Sequence, residues 1–109
     1  MTLTNLFSEI CDALYEHNYS FKHIAWVGTL NGTVFDSNKF FKDAVAINYN
    51  SGYGLVNIRE DLVIKMCDGS WFSRNSYDGS EWFQYNCAPS ANKYEPLTVF
   101  DILTENYYI

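Results

Sequence analysis

Apolar residues at Leu6, Phe7, Ile10, Cys11 and Leu14 recur every three or four positions, the spacing that gathers side chains on one side of a helix. They predict an amphipathic helix from Thr4 to about His17, with Thr4 or Asn5 as its N-cap. The next run, His23 to Leu30, is β-prone and meets Asn31-Gly32, a dipeptide that supplies the two positive φ angles of a type I′ turn. Thr33-Val34-Phe35 then returns as a short partner strand, so a hairpin is expected here. Asp36 or Ser37 is placed to cap a second helix ending near Ile47, with Phe40, Phe41, Ala44 and Val45 on one side and Lys39, Lys42 and Asp43 on the other.

A turn-rich loop from Asn48 to Gly54 carries Tyr49 and Tyr53, and Leu55 to Ile58 reads either as a short strand or as an extended approach to the meander beyond it. From Leu62 to Cys87, short apolar and aromatic runs alternate with Asp68-Gly69 and Asp78-Gly79, giving strand, tight turn, strand, turn, strand. Connections this short force antiparallel neighbours. The tail LTVFDILTENYYI fits both strand alternation (Leu97, Val99) and helical spacing (Leu97, Phe100, Leu103), with the alternation weighing toward a strand. The expected architecture is α+β in a single domain over residues 1–109: an antiparallel sheet of about five strands, a meander plus a hairpin, with two amphipathic helices packed on one face. Pleating sets Trp82, Gln84 and Asn86 opposite Glu81, Phe83 and Tyr85. Since both faces carry rings, the face without helices is left for a partner or a dimer mate.

Thirteen acidic residues against seven basic give a formal charge of -6. That balance argues against direct binding of nucleic acid, which relies on Lys and Arg. It suits docking on a basic protein surface, including the groove of a nucleic-acid enzyme, and it also keeps a small protein soluble. Nine Tyr, eight Phe and three Trp exceed what a core of this size requires, so some rings are expected at the surface, where Tyr and Trp mark contacts. Cys11, Cys67 and Cys87 are odd in number and lack close spacing, and MTLTNLFSEI has neither the basic segment nor the long apolar run of a leader. A cytoplasmic protein with no membrane segment and no disulfide framework is expected.

Cysteine-dependent catalysis would set Cys67 or Cys87 beside His17 or His23 with an orienting acid, and nothing local brings them together. The plainer expectation is sheet cysteines facing the core and histidines at element edges. Zinc on Cys67, Cys87 and His23 lacks the close-spaced ligand pairs of such sites. Gly52 and Gly54 lack the third glycine and the GK[ST] of a phosphate loop, and read as a loop needing positive φ. No catalytic residue, cofactor or metal is therefore expected. Two candidate contact features are left. Glu9, Asp12 and Glu16 share one helix face with no Lys or Arg in the helix to pair with them, either a solvated face or an acidic stripe spaced like backbone phosphates. Trp71, Phe72, Tyr77, Trp82, Phe83 and Tyr85 bracket Arg74, which can stack on a ring or pair with Glu81. That composition is typical of interface hot spots. The candidate partner-binding set is Glu9, Asp12, Glu16, Tyr49, Tyr53, Arg74, Tyr77, Trp82 and Tyr85.

The GYG at residues 52–54, followed by DLVIKMCDGSWFSRNSYDGSEWF at 61–83, resembles small uncharacterised proteins of phages and mobile elements that pair a GYG loop and an apolar strand with a YDGSEWW-like hairpin. The resemblance covers about a third of the chain, and Phe83 stands where the pattern has its second Trp. It carries no established chemistry. A small acidic phage protein without a catalytic motif is similar in character to counter-defence inhibitors, of which anti-CRISPR proteins are the best-known class. What the resemblance implies is a non-enzymatic inhibitor in the host cytoplasm, binding a host protein or ribonucleoprotein complex through acidic and aromatic surfaces. The alternatives are a protein-binding or homodimeric assembly module and, third, a small Cys-dependent enzyme.

Overall fold

The computed structural model describes residues 3–52, 54–89, 91 and 94–107. In chain order its elements are β1 (Thr4–Asn5), α1 (Leu6–Glu16), β2 (Ile24–Thr29), α2 (Ser37–Val45), β3 (Asn48–Tyr49), β4 (Leu62–Met66), β5 (Trp71–Tyr77) and β6 (Ser80–Asn86). Strands β2-β4-β5-β6 form one antiparallel sheet, and β1 pairs with β3 in a separate two-residue ribbon. The fold is α+β, with helices packed against the sheet. Leu6, Ile10 and Leu14 of α1 and Ala44 of α2 join Val27, Leu62, Ile64, Met66 and Phe72 of the sheet in a single core, which is what the apolar spacing in both helices dictates.

Local chemistry sets where the helices begin. Asn5 Oδ1 accepts the Ser8 amide at 3.0 Å as the N-cap of α1, while its Nδ2 donates to the Val45 carbonyl at 2.9 Å. One side chain thus starts α1 and ties it to the end of α2. Asp36 Oδ1 caps α2 by accepting the Lys39 amide at 3.0 Å.

The Asp78-Gly79 and Asn31-Gly32 turns do not behave alike. Asp78 and Gly79 have φ of 50° and 86°, the two positive values of a type I′ turn, and Tyr77 pairs directly with Ser80 across it. At Asn31-Gly32 only the glycine is positive, at 91°. The Asn31 side chain accepts hydrogen bonds from Thr29 Oγ1 and the Thr33 amide, and the Gly32 amide closes onto the Thr29 carbonyl at 2.9 Å. The turn is therefore a type I turn at Leu30-Asn31 followed by a left-handed glycine, one residue earlier than the type I′ expectation. The returning segment makes a single bridge, Gly28 to Val34, rather than a strand. The chain comes so close there that a Cβ on Gly28 would lie 1.8 Å from the Thr33 carbonyl oxygen.

The principal partner of β2 is instead β4. A bulge between Ile24 and Trp26 lets Ile24 pair with Met66 and Trp26 with Lys65. Those two residues would otherwise share a face, and the bulge turns Trp26 away from the helices. Of the two readings of Leu55 to Ile58, strand or extended approach, no strand forms and the stretch is irregular, while the tail, weighed toward a strand, has one 3₁₀ turn, Val99–Asp101. With the returning segment Thr33-Val34-Phe35 reduced to a single bridge, the main sheet has four strands, β2 and the three of the meander.

Candidate partner-binding surface

Strand register divides the aromatic meander into two sets. Phe72 pairs with Tyr85, Arg74 with Phe83 and Ser76 with Glu81 on the face toward the helices. Trp71 pairs with Asn86, Ser73 with Gln84 and Asn75 with Trp82 on the other. Arg74 and Tyr85, expected with Tyr77 and Trp82 among the partner-binding residues, lie on the helix side instead, because the period of two sets them on the face opposite Trp82.

Arg74 is the centre of a buried charged cluster. Its side chain is 2% exposed and its guanidinium lies 4.4 Å over the Phe83 ring. Nη1 donates to Glu9 Oε1 at 3.2 Å, and Nη2 donates to Glu81 Oε1 and to the Tyr49 hydroxyl, both at 3.0 Å. The Tyr49 hydroxyl in turn donates to Glu9. The acidic stripe is broken by this arrangement: Glu9 points inward and is paired across 65 residues of sequence, leaving Asp12 and Glu16 exposed. Tyr49, expected in a contact loop, is buried for the same reason. Tyr53 lies outside the described residues.

Glu81 extends the cluster into the loop before β4. Its Oε2 accepts the Asn57 amide at 2.8 Å, its Oε1 accepts the Ile58 amide at 3.1 Å, and its own amide donates to the Ser51 carbonyl at 2.8 Å. Burial pushes the Glu81 carboxyl up, but the Asn57 and Ile58 amides and the Arg74 guanidinium outweigh it and hold the group below the usual carboxylate range. Tyr49 is pushed upward, by burial first and by donation to Glu9 second. Among the described residues the Arg74 Nε is the one buried side-chain polar atom with no partner. A cleft of about 180 Å³ opens beside the cluster, lined by Val56, Ile58, Glu60, Asn75 and Ser76 with Arg74 and Glu81. With the Arg74 guanidinium engaged by Glu9, Tyr49 and Glu81, the cluster is a structural clamp and has no cation free to meet an anion.

A second polar network holds Tyr85. Its ring stacks on His17 at 4.1 Å, and its hydroxyl meets that of Tyr19 at 2.9 Å. The Tyr19 hydroxyl donates to Asp68 Oδ2 at 2.6 Å, and Asp68 Oδ1 accepts from the Ser70 hydroxyl and amide. The Ser70 hydroxyl foremost, then that of Tyr19, lowers the Asp68 carboxyl from 3.8 to about 2. Asp68 was legible only as a turn residue; its second role depends on Tyr19, 49 positions away.

The opposite face holds all three tryptophans, Trp26, Trp71 and Trp82. Val63 is buried on this side in a hollow of about 210 Å³ that it shares with Trp26, Leu30, Lys65 and Trp71. Lys65 Nζ sits 5.0 Å above the Trp71 ring. Between Trp71 and Trp82 runs a strip of neutral polar groups in which Asn75 donates to Gln84 and Asn86 to Ser73. Trp82 is 38% exposed, and Tyr77, at the tip of the hairpin, is 77% exposed. The sequence showed the rings on β5 and β6 but not that Trp26 joins them, which depends on the bulge.

Cys67 and Cys87 are exposed just beyond β4 and β6 rather than facing the core, since each falls one residue past its strand. The Cys67 amide donates to the His23 carbonyl at 2.8 Å. The His23 ring is engaged elsewhere: its Nδ1 accepts the Ser20 amide at 2.9 Å. No group of three or more His, Cys, Asp or Glu placed to hold a metal occurs among the described residues, and no described helix is long and apolar enough to cross a membrane. No protein family, curated protein or solved structure matches the chain.

Proposed function

We propose that this chain is a stoichiometric protein-binding module of the counter-defence inhibitor type, engaging a host protein or ribonucleoprotein complex through the outer face of the β5–β6 hairpin. The observation that carries this reading is the exposure of Tyr77 and Trp82 on the sheet face turned away from the helices. Large amphipathic rings on a rigid hairpin lose little conformational freedom on binding, which suits them as anchors. The resemblance at residues 52–83 supports the inhibitor class. With Glu9 held inside, the acidic contribution falls to Asp12 and Glu16. The test is phage plaquing on a host with an active nucleic-acid-targeting defence, with and without the chain expressed. Protection that is lost on Tyr77→Ala with Trp82→Ala, while circular dichroism stays native, supports the reading. Protection that survives this pair moves the function off the hairpin, and an absence of protection against every defence tried removes the inhibitor class.

A further inference from the structure

We propose that residues 94–107 of one copy dock into the phenylalanine groove of a second copy, closing a reciprocal dimer. The inference is independent of the hairpin surface. The groove lies between α1, α2 and the residues just before β2. It has a volume of about 360 Å³ and is lined by Phe7, Phe21, Ile24 and Phe41 with Ser37 and Asn38. Phe7 and Phe21 stack at 5.5 Å, and Phe41 meets them edge-on at 6.3 and 5.1 Å. Three packed rings are a preformed apolar seat, and Phe21 leaves 42% of its surface open.

The tail supplies the complementary piece. Leu97, Val99, Phe100 and Ile102 are exposed there, Phe100 at 74% and Ile102 at 67%, and none belongs to the core cluster. The Cα radius of gyration is 18.2 Å, against about 13 Å for a closely packed domain of this length, as expected if the tail stands away from the body. Its 3₁₀ turn, Val99–Asp101, places Val99 and Ile102 three residues apart on one side. An apolar tail and an apolar groove on the same molecule, each left open, are both covered when two copies exchange them.

Charge selects the match. Residues 94–107 carry Glu95, Asp101 and Glu105 and no basic residue. Of the described basic residues, Arg59 pairs with Asp61, Lys39 with Asp43 and Arg74 with Glu9 and Glu81, while Lys65 donates to the Gly69 carbonyl. That leaves Lys22 and Lys42 without a partner among the described residues. Neither lines the groove itself, but each adjoins residues that do: Lys22 follows Phe21, and Lys42 follows Phe41 and lies one helical turn beyond Asn38. On a chain of net charge -6, where most contacts between copies repel, these are the described positions at which an acidic apolar segment finds unpaired opposite charge.

Size-exclusion chromatography with light scattering on the full chain tests the idea. The expected result is a species of twice 12.6 kDa whose dissociation constant weakens at least about tenfold on Lys22→Glu with Lys42→Glu, and likewise on Phe100→Asp with Ile102→Asp. Both pairs are at exposed positions, so native circular dichroism is expected to persist. Mixing the Lys22→Glu, Lys42→Glu chain with a Glu95→Lys, Asp101→Lys, Glu105→Lys chain should restore a heterodimer. A strict monomer at high concentration overturns the proposal, as does a dimer that survives both pairs of substitutions.

Discussion

Neighbouring residues of β5 and β6 meet opposite fates. Arg74, Glu81 and Tyr85, facing the helices, are each held by two or more partners drawn from distant parts of the chain. Tyr77 and Trp82, facing away, keep open ring surface on the same two strands. The inner set is over-determined, so its members fix the fold and have nothing left to offer a ligand. The outer set is under-determined by the fold, and recognition can use it without loss of stability.

The sharpest way to break this contrast is Arg74→Ala. It leaves the buried Glu81 carboxylate and the part-buried Glu9 carboxylate without their cation and should lower stability by about 3–5 kcal/mol, read as a drop in the urea midpoint. A loss below about 1 kcal/mol, the range of an exposed pair, would place Arg74 with the surface residues instead. Next in size is the split within the acidic helix. Glu9→Gln weakens the bonds to Arg74 and Tyr49 and should cost about 1–3 kcal/mol, whereas Asp12→Asn, one turn along and exposed, should stay within about 0.5 kcal/mol. Equal effects would restore a uniform stripe.

The third outcome concerns pH. The Asp68 carboxyl is lower in the folded chain, about 2 against an ordinary 3.8. Its contribution to stability is therefore complete above the unfolded value and is lost as pH falls from about 4 toward 2. Asp68→Asn should flatten the acid limb of the stability curve in that window and leave the wild-type slope above pH 5 unchanged. Smallest of all, Tyr77→Ala should change stability by no more than about 0.5 kcal/mol while, under the proposed function, lowering protection in the plaque assay.

What was legible in the sequence was whatever a few consecutive residues decide. Asn5 and Asp36 cap their helices, Asp78-Gly79 makes its type I′ turn, and the apolar spacing of α1 buries Leu6, Ile10 and Leu14. The misplaced features depend on distance in sequence. Glu9 reads as surface until Arg74 reaches it, and Tyr49 reads as loop until β1 pairs with β3 and sets its hydroxyl beside Arg74. Asn31-Gly32 satisfies the pattern for one turn and forms another, because the Asn31 side chain competes for the hydrogen bonds of its neighbours. The candidate site was half legible for the same reason: the rings were visible, and the faces had to wait for the register and the bulge at Ala25.

The link from Glu81 to the loop before β4 has a kinetic consequence. The Asn57 and Ile58 amides belong to no ladder, yet both are held by a carboxylate that is 2% exposed. In deuterated water they should exchange as slowly as strand amides and only when the Arg74 clamp lets go. Their exchange rate would then be a clock for the opening of the charged cluster, read from two backbone positions in an otherwise irregular stretch of chain.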